Sequence, residues 1–201
     1  NLKMIRFSEY FNSWLYEKNG YYTNYKNIGK EGDFFTSVSV SVFFGGAIAK
    51  KIISSIESGF LNKNSTILEI GAHKGYLLAD IIQFIYTLKP ELLKTLNFAI
   101  LEKFESLRVV QKKYLFDSFA DSINFEHYKN FDEIKIDSAF IISNELFDSF
   151  ACDLIFTKDN IIKQAFVNNH KIDFLPCIDE KILNHCKKYK ITKGEIALEY
   201  F

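Results

Sequence analysis

Four short apolar runs, set apart by helix-length segments, dominate the middle of this 201-residue chain. Residues 66–70, 98–101, 123–125 and 139–143 read as strands. Residues 75–86 and 105–116 between them carry helical periodicity. Strands that alternate with helices need crossover connections, so the strands are expected to run parallel in one sheet with right-handed crossovers. The runs are mostly apolar, 98–101 and 139–142 entirely so, rather than strictly alternating, which fits a sheet covered on both faces. In such a sheet, ligands bind at the carboxyl ends of the strands, near the point where strand order reverses.

The flanks read differently. Residues 5–18 place Ile5, Tyr10, Phe11, Trp14 and Leu15 at near-helical spacing, and Asn19-Gly20 closes that helix. Residues 21–30 form a polar, aromatic loop. Residues 39–56 predict a second helix, with Gly45-Gly46 as a weak spot inside it. Downstream, residues 153–157, 161–167 and 172–175 are short strands. They are joined at Lys158-Asp159-Asn160 and Asn168-Asn169-His170, which predicts an antiparallel meander. Residues 187–190 (Lys-Lys-Tyr-Lys) read as a solvated helix end. Residues 195–201 are strand-like, an abrupt stopping place that points to a missing C-terminal part. Trp14 and the abundant Phe and Tyr are expected in the core rather than in a base-stacking platform.

Composition narrows the class. Lys+Arg and Asp+Glu are both 25, giving a formal net charge of zero, and Arg6 and Arg108 are the only arginines. That excludes a chain held on nucleic acid mainly by bulk charge and weakens any case for bidentate phosphate or base readout. The longest apolar stretch, residues 38–49, is too short and too broken to span a bilayer. The N-terminus shows no basic segment followed by an apolar run, so no secretory signal is expected. Cys152, Cys177 and Cys186 have neither disulfide-framework nor zinc spacing. No metal site is expected, and a reducing, cytoplasmic setting is the default. His127, His170 and His185 are scattered without ligand spacing and read as solvated or loop residues.

The segment Glu69-Ile70-Gly71-Ala72-His73-Lys74-Gly75 joins the first parallel strand to the first crossover helix. Glycine there allows positive φ and a close approach of ligand to backbone. A nicotinamide dinucleotide fold would require G-x-G-x-x-G, which is absent. The E-x-G-x-x-x-G frame is similar to the E/D-x-G-x-G-x-G turn of class I methyltransferases. The next strand ends in Glu102, whose carboxylate can accept from both ribose hydroxyls of a nucleoside. Two readings stand here: a nucleoside site, or an ordinary tight turn. His73 stands where the methyltransferase pattern has its middle glycine. Either its side chain points to solvent, or its imidazole obstructs the pocket.

Three further segments carry a family resemblance. Gly32-Asp33-Phe34-Phe35-Thr36-Ser37 followed by Phe44-Gly45 resembles the GDF-x-T-S-P-E…FG signature of the MidA family, also known as DUF185. Residues 98–102 through Ser106-Leu107-Arg108-Val109-Val110-Gln111 resemble its VE-x-S-x-x-LR-x-x-Q segment. Asn144-Glu145-Leu146-Phe147-Asp148 resembles its N-E-L/F-F-D motif, and Tyr21-Tyr22 its upstream aromatic pair. Order and spacing agree from about Gly20 to Leu175. Three departures accompany them: His73 for glycine, Val38-Ser39 for Pro-Glu, and Ser149-Phe150-Ala151 for Ala-Leu-Pro. These put activity, rather than fold, in question.

The resemblance implies an α/β, Rossmann-like class I methyltransferase fold with a helical N-terminal extension and an antiparallel β-meander insertion. The implied parts are residues 1–60 (extension with the GDFFTS cofactor loop), 61–150 (cofactor-binding core) and 151–201 (meander on the substrate side, incomplete at its C-terminus). The family's cofactor is S-adenosyl-L-methionine. Its mitochondrial member methylates an arginine of a respiratory complex I subunit and assists that complex's assembly. The expected activity is therefore protein arginine N-methylation. The expected partner is a protein substrate such as a respiratory-complex subunit, with no nucleic acid and no membrane insertion; the oligomeric state is open. Asp33, Thr36, Glu69, Gly71, Gly75, Glu102 and Asn144 are the expected cofactor residues, although Asp33 also suits a simple turn after glycine. Glu145 and Asp148 are the expected catalytic pair, able to face one site if Leu146 opens a helical turn. Asp148 equally suits a helix cap. One rival reading is a catalytically weakened relative acting as an assembly or binding factor. Another is a methyltransferase for a different substrate.

Overall fold

The computed structural model describes residues 4–18, 20, 42–158, 160–191 and 196–200, the last five by backbone. In chain order its elements are β1 (Ile5–Arg6), α1 (Phe7–Tyr16), α2 (Phe43–Glu57), β2 (Thr66–Ile70), α3 (Tyr76–Leu88), β3 (Asn97–Leu101), α4 (Glu105–Phe119), β4 (Asn124–Tyr128), β5 (Ala139–Ser143), β6 (Asp153–Lys158), β7 (Ile161–Asn168), β8 (Lys171–Pro176), α5 (Glu180–Lys188) and β9 (Ile196–Tyr200). They gather into two contact units. One takes its described residues from 42–146, the other from residues up to 20 and from 147 onward. The sequence boundaries at 60 and 150 divide the chain in three; the contacts divide it in two, because β1 pairs with β7.

In the unit of residues 42–146, β2, β3, β4 and β5 form one parallel sheet in the order β4-β3-β2-β5. The chain leaves β2 toward β3 on one side and later returns to β5 on the other. Strand order therefore reverses at β2, between Gly71 at its end and Asn144 beyond β5. The core lies between the sheet and helices α2 and α3, with Ile52, Ile67, Ile81, Ile82, Ile85 and Phe98 all fully buried. Each such side chain contributes roughly 1.5–3 kcal/mol of transfer free energy. The Gly45-Gly46 pair is not a weak spot. A Cβ on Gly45 would lie 2.5 Å from Asp80 Cβ, so the missing side chain lets α2 and α3 approach closely.

In the other unit, β6, β7 and β8 are antiparallel, as the turn spacing predicts, and β9 joins them antiparallel to β6. β6 pairs with residues 161–164 of β7, and β1 with residues 166–167. β8 pairs with residues 163–168 of β7. Residues 5 and 6 thus join a sheet rather than the predicted helix, which begins at Phe7. Arg6 holds this corner: its Nη2 lies 2.6 Å from Asp153 Oδ2, and its Nη1 lies 3.1 Å from Asp179 Oδ2. Asp179 also caps α5, accepting from the N–H groups of Lys181 and Ile182. Trp14 is corrected from core to surface: it is 63% exposed and lies against Tyr10.

Candidate functional site

The site grows from the ends of β2 and β3. Glu69 is the penultimate residue of β2, and its carboxyl turns inward, where it is 3% exposed. Glu69 Oε2 accepts the N–H of Leu78 at 3.1 Å. α3 starts after Gly75, which has no side chain to cap it, so the strand's carboxyl meets a first-turn donor instead. Burial pushes the Glu69 carboxyl up to about 8, with the Leu78 N–H opposing the shift. Gly71 at φ 71° and Gly75 at φ 83° bracket the turn. A Cβ on Gly71 would fall 2.8 Å from Leu146 Cδ1. The space above this glycine is bounded by Leu146, and the close approach demands glycine as much as the backbone angle does.

His73 adopts φ 49° without being glycine. Its imidazole is half-buried rather than turned out to solvent, and burial with the nearby Lys74 holds its pKa below the usual range. Of the two readings of this residue, the solvent-facing one is set aside.

Glu102 follows β3 directly and is buried. Its Oε1 accepts the N–H of Phe104 at 3.0 Å, and its Oε2 accepts from Gln111 Nε2 at 3.4 Å. Burial raises its pKa, while those two donors and Arg108 pull the other way. Arg108 Nη1 donates to the carbonyls of Glu102 and Lys103, each at 2.8 Å, and so fixes the loop leaving the strand. Gln111 Nε2 also donates to the His73 carbonyl at 2.7 Å. Gln111 Oε1 faces His127 Nε2 at 2.9 Å. The amide nitrogen is already directed at two acceptors, so Oε1 is the acceptor here and His127 carries its proton on Nε2. His127 is therefore corrected. It is a half-buried residue of β4 whose pKa burial lowers to about 4, whereas His170 and His185 are exposed. Gln111 and His127 were not among the expected site residues. The signal available was the spacing of Arg108 and Gln111, three residues apart on one helix face.

At the end of β5, Asn144 is half-buried and Glu145 is exposed at φ 53°. The helical turn expected to open at Leu146 begins instead at Phe147, as a single 3-10 turn over Phe147–Ser149. Asp148 is exposed in that turn, in the other contact unit. Glu69, Gly71, Gly75, Glu102, Asn144 and Glu145 thus belong to one unit, around the point where strand order reverses. Asp33 and Thr36, with the rest of GDFFTS and Tyr21-Tyr22, lie outside the described residues. Two buried carboxyls at adjacent strand ends, with a glycine turn between them, suit a nucleoside whose ribose hydroxyls need acceptors.

Similarity to known proteins agrees with this geometry. Residues 47–196 match the model of a family described as "Putative S-adenosyl-L-methionine-dependent methyltransferase". The chain is 26% identical over 148 residues to the protein arginine methyltransferase NDUFAF7, mitochondrial, of Bos taurus, covering 64% of this chain and 33% of that protein. The Rattus norvegicus protein of the same name is 23% identical over 148 residues, covering 64% and 34%. Among solved structures, a COG1565 superfamily member from Burkholderia thailandensis, bound to S-adenosyl-homocysteine, superposes with a TM-score of 0.71. It is 19% identical and covers 92% of this chain and 49% of its own. A native crystal structure of a COG1565 superfamily protein from the same organism gives 0.70 at 19% identity, covering 98% and 50%. The chain spans about a third of the length of the curated relatives and about half that of the solved structures.

Proposed function

For a chain that belongs to the MidA (DUF185) family of S-adenosyl-L-methionine-dependent methyltransferases, we propose methyl transfer from that cofactor to a protein arginine. The observation that carries this reading is the pair of buried carboxyls, Glu69 and Glu102, at adjacent parallel strand ends around the glycine turn. S-adenosyl-L-methionine supplies the electrophilic methyl group when bound. Glu102 would accept from the ribose hydroxyls, its orientation fixed by Phe104 N–H. Gly71 and Gly75 would keep the turn bare against the methionine part, and Asn144 would bind near it. Asp33 and Thr36 are proposed, on the motif alone, to contact the cofactor.

A guanidinium is a weak nucleophile because it stays protonated, its pKa lying above about 12. Glu145, exposed beyond β5, would accept its N–H groups, orient one nitrogen in line with the methyl group and compensate charge as a proton leaves. In-line alignment is worth up to roughly 7–11 kcal/mol of barrier. Asp148 is the second carboxylate proposed for this work. The names of the mammalian relatives support an arginine in a protein as acceptor, and a respiratory-complex subunit is the substrate proposed. Among the described residues no helix is long and apolar enough to cross a membrane. A cytoplasmic setting is proposed from the sparse spacing of Cys152, Cys177 and Cys186, which suits neither a disulfide framework nor a zinc site.

Calorimetric titration with S-adenosyl-L-methionine and S-adenosyl-L-homocysteine tests the reading. Saturable, equimolar binding of both is expected, followed by methyl incorporation into an arginine peptide. Folded protein that binds neither would overturn it. A second reading, a methyltransferase-fold assembly factor without turnover, is favoured by the half-buried His73 imidazole in the turn. Folded protein that binds neither ligand would select it, since an imidazole that obstructs the pocket excludes the cofactor.

A further inference from the structure

We propose that Gln111 is the positioning residue of this cofactor site: it aims Glu102 at the ribose and ties the glycine turn to the same point. The inference rests on Glu102 being the ribose acceptor.

Gln111 is 0% exposed, yet it is polar. A buried amide with unmet hydrogen bonds is costly, so its partners account for its presence. It has partners on three separate stretches of chain: the His73 carbonyl in the glycine turn, Glu102 after β3 and His127 in β4. Its stem also packs on the turn, since Gln111 Cγ lies 3.6 Å from where a Gly75 Cβ would stand. One planar group thus fixes the turn and the carboxylate relative to each other. Its own rotation about the last bond is set from behind by the His127 Nε2–H. Glutamate of the same length would set an anion against Glu102. Methionine of the same length would leave the His73 carbonyl and the His127 N–H without this partner.

The test is a cycle between residue and ligand. Wild-type protein, Gln111→Met, Gln111→Glu and His127→Phe are titrated with S-adenosyl-L-homocysteine and with its 2′-deoxyribose analogue. Wild-type protein is expected to prefer the ribose form by about tenfold or more, the worth of one hydrogen bond to a charged acceptor. Gln111→Met and Gln111→Glu should lose most of that preference, and His127→Phe part of it. If Gln111 only supports the fold, both ligands weaken by one factor and the preference survives; that result overturns the proposal, as do unchanged affinities. Should Gln111→Met fail to fold, Gln111→Glu and His127→Phe carry the same comparison. If wild-type protein shows no preference, the ribose role of Glu102 fails and the proposal falls with it. If wild-type protein binds neither ligand, the methyltransferase reading itself fails.

Discussion

The two units treat buried acids in opposite ways. In the antiparallel unit, Asp153 is buried against Arg6, whose second nitrogen holds Asp179; the charges are spent on each other. In the parallel unit, Glu69 is buried with a backbone N–H as its acceptor's partner, and Glu102 with a backbone N–H and an amide. Neither side chain is engaged by a cation in an ion pair among the described residues. An acid paired with a cation has its acceptor capacity taken up and is costly to strip of its partner, whereas an acid held by neutral donors at a strand end retains acceptor capacity for a ligand. The difference separates structure from function without reference to any motif.

Four substitutions would break or sharpen that contrast. The largest effect is expected for Glu145→Gln, which should lower turnover by about 10²- to 10⁴-fold while leaving cofactor affinity unchanged. Loss of both together in paired kinetics and calorimetry would assign Glu145 to structure instead. Glu102→Ala comes next. It should weaken S-adenosyl-L-homocysteine binding by about a hundredfold, with two charge-assisted hydrogen bonds removed. Unchanged affinity would end the ribose assignment.

Arg6→Met is the counterpart in the antiparallel unit. It leaves Asp153 buried without its cation and should cost about 1–3 kcal/mol, less than a fully buried pair because Arg6 is partly exposed. Urea unfolding reads the loss, and cofactor affinity should not move. The smallest effect, at pH below 4.5 where amide and protonated carboxyl are alike, belongs to Glu69→Gln, and its sign at higher pH follows from the raised pKa. The folded carboxyl titrates near 8 against an ordinary 4.5, so the folded state keeps a proton that the unfolded state gives up. The stabilising contribution is complete below 4.5 and is lost as pH rises through 8. Glu69→Gln should therefore gain on wild type as pH climbs through that window. Parallel slopes of the unfolding midpoint against pH would show that Glu69 titrates normally.

Much of the parallel sheet is legible in the sequence because β2, β3 and β5 are mostly apolar, with Glu69 the one charged residue among them. β4 is harder to read: Asn124, Glu126 and Tyr128 alternate with Phe125 and His127, so its extent is longer than the apolar part suggests. The double-coverage rule also weakens for β5, at one end of the described sheet, where Ile141 is 61% exposed. α5 is visible only at its lysine-rich end, because its apolar face is just Ile182, Leu183 and Cys186. Residues 5 and 6 carry helical spacing, and pairing with β7 overrides it. Within the site, Glu69, Gly71, Gly75 and Glu102 are readable because a strand end and a turn are local features. Gln111 and His127 are not, because their meaning lies in contacts with residues far off in sequence.

The pairing of β1 with residues 166–167 bears on the order of folding. The unit of residues 42–146 is continuous in sequence, and every described strand of its sheet lies before residue 144. The other unit is interrupted by it: Ile5 and Arg6 meet Val167 and Phe166 only after the whole intervening unit has been made. Chains appear N-terminal end first, and closing so long a loop is entropically slow. A ribosome stalled once Ser143 has cleared the exit tunnel, but before Phe166 has, would therefore hold the four described parallel strands together, with the N-terminal strand still waiting for its partner.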